Sequence, residues 1–498
     1  MRVVLISTYE LGRPPFGLAS PAAWLAARGM DVECFDLSRE ALREEAIRDA
    51  GLVAFYLPMH TATRLAAQLI EPVRRMEPRA HICCYGLYAP VNEELLRGLG
   101  VRTILGGEFE EGLTRLAERL AAGGDGVATQ SEPTISLARQ NFLVPRREGL
   151  PPLANYARVM MPGGAQRLAG YTESSRGCKH LCRHCPVVPV YGGAFRVVGR
   201  EVVLADVRQQ VAAGAQHITF GDPDFFNGPA HALAIVEEMH REFPALSYDA
   251  TIKIEHLRKY ARELPRLRDT GCLFVTSAAE SVDDAILARL DKGHTRADFL
   301  EVARQFRDLG LTLQPTFVPF TPWTTIEGYR ELLRAIAEAE LVENVAPIQL
   351  AIRLLIPSGS RLLELQEVRE MAGAFDREAL AYPWRHADAR VDELQRRVQA
   401  AVEQCEKEKL GRSESFARVW RAAADAAGTV SEDSDGAAIW KPRSGARAEA
   451  PHLDEPWYCC AEPTREQFVS IASAGAAPCG GPTAPRAVPA GRPADGFV

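Results

Sequence analysis

Three cysteines in one short loop carry the strongest chemical signal in the sequence. Cys178, Cys182 and Cys185 follow the spacing C-x3-C-x2-C. Thiolates are soft ligands that suit iron–sulfur clusters, and three of them on one loop can hold three corners of a cubane cluster. No fourth cysteine lies nearby in the sequence. The spacing therefore predicts a [4Fe-4S] cluster whose fourth iron stays open to a ligand that is not a side chain.

An open iron of this kind can be chelated by the amino and carboxylate groups of S-adenosylmethionine, whose sulfonium then receives an electron from the cluster. Two alternatives fit the same spacing. The first is a zinc site with His180 or His184 as the fourth ligand, although zinc sites usually pair C-x2-4-C with a second distant pair. The second is a closed cluster completed by a remote cysteine.

The elements that must position the loop favour the open cluster. Residues 171–387 alternate short apolar runs with helical patterns such as Arg296–Leu309, which predicts a partial (β/α)6 barrel. The predicted strands are Tyr171–Ser174, His217–Gly221, Ser247–Lys253, Leu273–Ala278, Leu311–Phe317 and Ile348–Leu355. Active sites of such barrels lie at the carboxyl ends of the strands. The cysteine loop follows the first strand, so we expect the cluster on that face.

Residues 1–122 show a second alternation, typical of a doubly wound, Rossmann-like α/β domain. The predicted strands are Val3–Ser7, Asp31–Asp36, Leu52–Leu57, His81–Tyr85 and Val101–Leu105. Ligands of such sheets lie at the carboxyl ends of the strands, where this chain has Gly86, Gly106 and Gly107. The G-x-G-x-x-G fingerprint does not follow the first strand, which argues against a dinucleotide site.

The remaining segments have weaker patterns. Residues 123–170 are rich in glycine, proline and polar residues and are predicted to be a linker plus an ordered crossover. Residues 388–425 are predicted to form one charged amphipathic helix. Residues 426–498 are rich in alanine, glycine, proline and serine and are predicted to be a flexible, largely disordered tail that contains Cys459 and Cys460.

The composition narrows the classes of function. The chain has 498 residues, 47% hydrophobic and 25% charged, with a net charge of -7. These values are ordinary for globular proteins, and nothing in them indicates a nucleic-acid surface or a membrane span. Eleven cysteines without an export signal favour a cytoplasmic location, where thiols stay reduced or bind metal.

The cysteine loop is similar to the signature of the radical S-adenosylmethionine superfamily, with His184 where that family usually has an aromatic residue. Two further stretches match: Gly221–Phe226, which contains Asp222, and Ala279–Ser281 followed by Leu290–Thr295. The resemblance implies that Asp222, His184, Glu280 and Ser281 contact the cofactor. It also implies a 5′-deoxyadenosyl radical that attacks an unknown substrate, and an electron donor such as flavodoxin or ferredoxin. Ser281 has a second interpretation, as the cap of the following helix with Asp284 reaching back.

The first domain resembles the cobalamin-binding domain often fused ahead of this barrel, on its strand order and on Gly86, Gly106 and Gly107. This resemblance implies cobalamin as a further cofactor and methyl transfer as an outcome. The D-x-H-x-x-G motif that supplies a histidine to cobalt is absent.

The run Cys459-Cys460-Ala461-Glu462-Pro463 resembles the tail of the CUAEP/CCAEP-tail radical SAM proteins, some of which carry selenocysteine at the second position. A selenol ionises more readily than a thiol, so the resemblance implies redox or nucleophilic chemistry at Cys459 and Cys460.

A hypothesis from another class of function is that the chain is a non-catalytic zinc or iron–sulfur protein that serves in electron transfer or sensing.

Overall fold

This computed structural model describes residues 1–123, 131–428 and 450–455. The strands are β1 (Arg2–Ser7), β2 (Asp31–Asp36), β3 (Ala50–Tyr56), β4 (His81–Tyr85), β5 (Thr103–Gly107), β6 (Ile135–Ser136), β7 (Arg158–Met160), β8 (Gln166–Thr172), β9 (Ser175–Gly177), β10 (Phe195–Val197), β11 (His217–Phe220), β12 (Ser247–Thr251), β13 (Cys272–Glu280), β14 (Thr312–Phe317) and β15 (His452–Leu453).

The α-helices fall between these strands and after them. They are α1 (Phe16–Ala26), α2 (Glu44–Ile47), α3 (His60–Met76), α4 (Tyr88–Val91), α5 (Glu93–Gly98), α6 (Glu110–Ala121), α7 (Val188–Tyr191), α8 (Arg200–Ala212), α9 (Pro229–Glu242), α10 (Ile254–Lys259), α11 (Leu264–Asp269), α12 (Asp284–Leu290), α13 (Arg296–Leu309), α14 (Ile326–Glu338), α15 (Gln366–Met371), α16 (Ala389–Lys407) and α17 (Arg412–Ala426). No helix of the described segments is long and apolar enough to cross a membrane.

The first sheet is parallel, in the order β2-β1-β3-β4-β5-β6. Its central strands are apolar on both faces, and a separate hydrophobic cluster packs on each face. This is the pattern expected of a parallel sheet covered by helices on both sides. The strand order reverses between β1 and β3, so the loops after these two strands open the crevice in which such domains bind ligands. The predicted Rossmann-like architecture is confirmed.

The second sheet has the order β14-β13-β12-β11-β8-β7-β15, with parallel pairing from β14 to β8 and antiparallel pairing beyond. Helices α8 to α14 cover its outer face, and the largest hydrophobic cluster lies between them and the sheet. Gln314, on edge strand β14, donates a hydrogen bond to the carbonyl of Pro451, which lies next to the opposite edge strand, β15. This contact between the two edges shows that the sheet is curved. A partial barrel is confirmed.

Four predictions about individual elements are wrong. The segment 123–170, predicted as a linker with an ordered crossover, contributes β6 to the first sheet and β7 and most of β8 to the second.

Residues Ile348–Leu355 do not form a strand: Pro347–Leu350 is a 3-10 helix, and only an isolated bridge pairs Phe320 with Arg353. Proline lacks the N–H that a sheet ladder needs, and the Gln349 side chain instead accepts from the Phe317 amide. The single helix predicted over 388–425 is two packed helices, α16 and α17, because the chain turns at Lys409, which has the left-handed φ of +55°, and Gly411 then caps the start of α17.

The fourth error concerns the tail. Residues 450–455, predicted as part of a flexible tail, return to the barrel, where β15 pairs with β7. Glu455 then accepts a hydrogen bond from the Tyr9 hydroxyl at 2.6 Å and lies 3.4 Å from the Arg39 guanidinium. Cys459 and Cys460 lie outside the described residues.

A buried ion network joins the two sheets. The Arg176 guanidinium, on β9, contacts Glu173 at 2.6 Å and Glu110, the first residue of α6, at 2.7 and 2.9 Å. Glu108 lies 3.7 Å away, and the rings of Phe16, Phe109 and Phe142 surround the guanidinium at about 5 Å. Because Arg176 lies two residues before Cys178, this network also fixes the start of the cysteine loop.

The network predicts a pH-dependent stability. Burial, opposed by Arg176, raises the pKa of Glu108 from 4.5 to about 7. A carboxyl with a raised folded-state pKa contributes stability below its unfolded pKa, and that contribution is lost as the pH rises through the folded value. We expect the free energy of unfolding to fall between about pH 5 and about pH 8, by at most roughly 3 kcal/mol from this group.

Glu108→Gln should flatten this decrease in urea denaturation measured across that pH range. Glu111→Gln is the matched control, because Glu111 lies nearby on α6, its side chain is partly exposed, and it pairs with Arg115. If the Glu108→Gln and wild-type proteins lost the same stability between the two pH values, the assignment to Glu108 would be wrong.

Candidate functional site

A cavity of about 280 Å³ lies where the carboxyl ends of the two sheets face each other. The loops after β1, β3, β4 and β5 form one wall, and the carboxyl ends of β8 and β11 to β14 form the other. Cys178, Cys182 and Cys185 all line the cavity, and no other cysteine of the described segments does. The arrangement places the three predicted ligands at the entrance to the barrel.

Local contacts hold the cysteine loop in place. Gly177 has φ +75°, and a Cβ there would lie 2.5 Å from the Ala194 carbonyl, so only glycine fits before Cys178. Asn227 accepts from the Lys179 amide and donates to the Gly177 carbonyl. Burial, and then Asp224, raise the pKa of the Cys178 thiol to about 11. A metal that binds this thiol must therefore displace a proton.

A buried polar triad lies beside the loop. Glu280, at the end of β13, has the left-handed φ of +65° and is 4% exposed. Its Oε1 lies 3.0 Å from His184 Nε2 and 3.2 Å from Lys292 Nζ. Burial alone would raise the pKa of Glu280, but Lys292 and His184 outweigh it and lower the pKa to about 2. A non-glycine residue held in this backbone conformation is a strained feature that often marks a functional site.

Lys292 and His184 also connect the triad to the loop. Burial alone would lower the pKa of Lys292, but its interactions with Glu280, Cys182 and Cys185 outweigh burial and raise the pKa. His184 Nδ1 is buried and has no hydrogen-bond partner within the described residues. The sequence indicated Glu280 and His184, and both line the cavity, but it did not indicate the role of Lys292.

The two aspartates after β11 have different roles. Asp222 does not line the cavity; it accepts hydrogen bonds from the Ser174 amide and hydroxyl and from the Ser175 hydroxyl. It therefore anchors the chain that leads into the cysteine loop, and burial raises its pKa to about 6. Asp224 does line the cavity, and its Oδ2 lies 2.7 Å from His256 Nδ1 and 3.4 Å from His180 Nε2.

Ser281 lies under the cavity and does not line it. Its hydroxyl accepts from the Asp283 amide, and Asp283 caps α12 through the amides of Ala285 and Ile286. The predicted capping by Ser281 with Asp284 is therefore wrong. Asp284 instead accepts from the Arg296 amide.

The three glycines of the first domain are explained by close packing within the chain. Added Cβ atoms at Gly86, Gly106 and Gly107 would lie 2.9 Å from the Leu57 carbonyl, 2.1 Å from Pro90 and 2.2 Å from the Ser136 carbonyl. Gly107 lines the main cavity, Gly106 lines a smaller cavity beside α6, and Gly86 lines neither. These glycines are therefore required by the tight packing at the ends of the strands, where a side chain has no room.

The chain's residues fit a three-cysteine iron–sulfur cluster with S-adenosylmethionine beside it. Three thiols converge on one cavity, and the ammonium of Lys292 interacts with two of them. His184, whose Nδ1 has no hydrogen-bond partner within the described residues, lines the same cavity. The potential ligand atoms of Cys178, His180 and Asp224 also lie within 4.8 Å of one another. This mixed set is also suited to zinc, and it differs from the zinc alternative drawn from the sequence, which used the three cysteines with His180 or His184.

The first-domain wall has the kind of apolar surface that would hold a corrin ring. This wall is largely apolar and includes Leu11, Met59, Leu87 and Phe109. No histidine of the described part of the first domain lines the cavity. His60, next to Met59, points away, and its Nε2 lies 2.7 Å from the Ala379 carbonyl.

Residues 172–336 match the family model described as the Radical SAM superfamily. The chain is 26% identical over 183 residues to the ribosomal protein uS12 methylthiotransferase RimO of Geobacter sulfurreducens. This match covers 34% of this chain and 40% of that protein. It is also 26% identical over 322 residues to the hopanoid C-3 methylase of Methylococcus capsulatus, covering 62% and 61%.

Among solved structures, the chain is similar to the cobalamin-dependent S-adenosylmethionine radical enzyme OxsB with aqua-cobalamin and S-adenosylmethionine bound. The TM-score is 0.63 at 13% sequence identity, and the match covers 95% of this chain and 78% of that one. This likeness extends the shared fold across both sheets. The chain spans less than two thirds of the length of the two curated relatives.

Proposed function

We propose that this chain, whose residues 172–336 are a radical SAM domain, cleaves S-adenosylmethionine reductively and uses the resulting radical on a substrate held between its two sheets. The observation that carries the proposal is the convergence of Cys178, Cys182 and Cys185 on a cavity that the first domain covers. When bound, the [4Fe-4S] cluster and S-adenosylmethionine supply the electron and the 5′-deoxyadenosyl radical.

The chain's own residues bind the cluster, orient the cofactor and exclude water from the cavity. The three cysteines hold the cluster, and Lys292 places a positive charge where a carboxylate can bind. Glu280 fixes both Lys292 and His184, so neither side chain has to reorganise when the cofactor binds. The apolar wall of Leu11, Met59 and Phe109 keeps water from a reactive radical.

The test is anaerobic reconstitution followed by quantification of iron, sulfide, zinc and cobalt in one sample. We expect iron and sulfide to bind, and we expect 5′-deoxyadenosine to form when dithionite and S-adenosylmethionine are added. Zinc without iron would instead support a non-catalytic site built on Cys178, His180 and Asp224. In that case the radical proposal would be wrong.

Cobalamin is part of the proposal as a second ligand of the same cavity. Its support is the apolar first-domain wall and the fold shared with OxsB. If the reconstituted protein contains cobalt, methyl transfer is the first reaction to test. We also propose a cytosolic location and a flavodoxin or ferredoxin as the electron donor.

We further propose that the chain belongs to the CCAEP-tail group and that Cys459 and Cys460 act at the barrel interior. Glu455 lines a second cavity of about 320 Å³, which shares Leu11, Arg13, Thr316 and Gln349 with the first. Cys459 is the fourth residue after Glu455, and an extended chain spans at most about 14 Å over four residue steps. The anchored strand β15 therefore supports access of both thiols to the interior.

Disulfide trapping measures this access without a substrate. Arg412→Cys places a thiol in the second cavity, and Glu118→Cys places one on the exposed face of α6, outside both cavities. Under mild oxidation we expect Cys459 or Cys460 to couple to Arg412→Cys severalfold more than to Glu118→Cys, as read by peptide mapping. Equal coupling at both positions would contradict a role for the tail at the barrel.

A further inference from the structure

Glu10 is a buried carboxyl that neither the cluster nor the cofactor accounts for. It follows β1, lines the main cavity and is only 8% exposed. Its Oε2 is buried without a hydrogen-bond partner in the segments that the structure describes. Leaving a carboxylate oxygen in this state costs free energy unless a ligand satisfies it. The side chain is therefore placed to meet a bound molecule.

The charge around Glu10 is negative on balance. After burial itself, Glu173 has the largest effect in raising the pKa of Glu10 well above its usual range, and Arg13 and Arg147 oppose it. Arg147 is already engaged by both oxygens of Asp206, at 2.9 and 2.7 Å. Arg176 is similarly engaged by Glu110 and Glu173. An added cation would relieve this imbalance, whereas an added anion would increase it.

The neighbouring walls suit an organic cation. Tyr56, at the end of β3, and Tyr171, on β8, both line the cavity and both interact electrostatically with Glu10. Aromatic faces attract ammonium groups that have lost water. The rest of this wall, including Leu11 and Phe109, is apolar. Glu10 belongs to the first-domain wall, while Glu280 and Lys292 form a separate triad beside the cysteines.

We propose that Glu10 binds an ammonium group on the substrate and thereby selects amine-bearing molecules for the radical reaction. The inference rests on the proposed function and deepens it by naming the class of substrate. The ammonium donates to the unpartnered oxygen of Glu10, its charge offsets Glu173, and the tyrosine rings flank it. The Arg13 guanidinium lies over the Tyr171 ring, 5.3 Å from its centre. Arg13 lines both cavities, so it bounds the ammonium site on the side of the second cavity.

The test uses three probes of the same shape and different charge: phenethylamine, phenethyl alcohol and phenylacetate. Binding is measured by anaerobic calorimetry on the cluster-loaded protein, saturated with S-adenosylmethionine and without reductant. We expect the amine to bind at least about tenfold more tightly than the other two, a difference of about 1.4 kcal/mol. Glu10→Gln keeps the shape but loses the charge, and it should abolish the preference.

Glu40→Gln is the matched control, because Glu40 is a half-buried carboxyl of the same domain that lines no part of the cavity. It should keep the preference of the wild type. Equal binding of the alcohol, an unchanged preference in Glu10→Gln, or no binding of the amine would each overturn the proposal. Iron content and 5′-deoxyadenosine formation by the wild type are measured separately, so a failure of the radical function is distinguishable from a failure of this site.

Discussion

Replacing Cys182 with alanine is expected to abolish both cluster binding and formation of 5′-deoxyadenosine. Cys182 is the most buried of the three loop cysteines and lies between the other two in the sequence. With three protein ligands and one open iron, the loss of one thiolate leaves two ligands for a four-iron cluster. Iron should fall from about four atoms per chain to a trace, and the rate of S-adenosylmethionine cleavage by about 10³-fold or more.

The same result is expected for Cys178→Ala, Cys185→Ala and the triple variant. Cys34→Ala is the control, because Cys34 is a half-buried cysteine on β2 that does not line the cavity, so its loss should leave the iron content unchanged. The measurements are iron and sulfide per chain, the visible absorbance of the cluster, and chromatographic detection of 5′-deoxyadenosine. A triple variant that still carried the cluster absorbance would show that other residues hold the iron.

The sequence was sufficient for the cysteine loop and for most of the architecture because both depend on short-range signals. The spacing of three thiols is local, and the alternation of apolar runs with helical periods predicted strands such as Asp31–Asp36 and helix α13 with their observed bounds. The carboxyl-end rule then placed the loop on the correct face of the barrel. These steps needed no knowledge of contacts between distant residues.

The errors and omissions come from long-range contacts. Strand β15 has two residues in a segment without periodicity, and only its pairing with β7 makes it a strand. Arg176 and Glu110 are 66 residues apart, so no local pattern links them. Glu10 looks like an ordinary turn residue until the second sheet covers it. The predicted strand at 348–355 failed because the Gln349 side chain and Pro347 replaced backbone pairing.

Replacing Arg176 with methionine is expected to destabilise the protein more than any other single change in the buried network. The guanidinium is 8% exposed and compensates Glu110 and Glu173 at hydrogen-bond distance, with Glu108 nearby. Methionine fills much of the same volume between the phenylalanine rings but leaves these carboxyls without a counter-charge. Breaking a buried pair in this way costs about 3–5 kcal/mol in the free energy of unfolding.

The measurement is urea denaturation of the cluster-free protein, so that metal binding does not add to the stability. Arg208→Met is the control, because its pair with Glu242 is exposed to solvent and should contribute little to the free energy of unfolding. If the loss comes from uncompensated charge, the triple variant Arg176→Met, Glu110→Gln, Glu173→Gln should regain most of the stability. If it comes from packing alone, the triple variant should remain as unstable as Arg176→Met. Because Arg176 lies two residues before Cys178, rescue of stability together with rescue of iron binding would show that the network between the sheets also holds the metal loop in place.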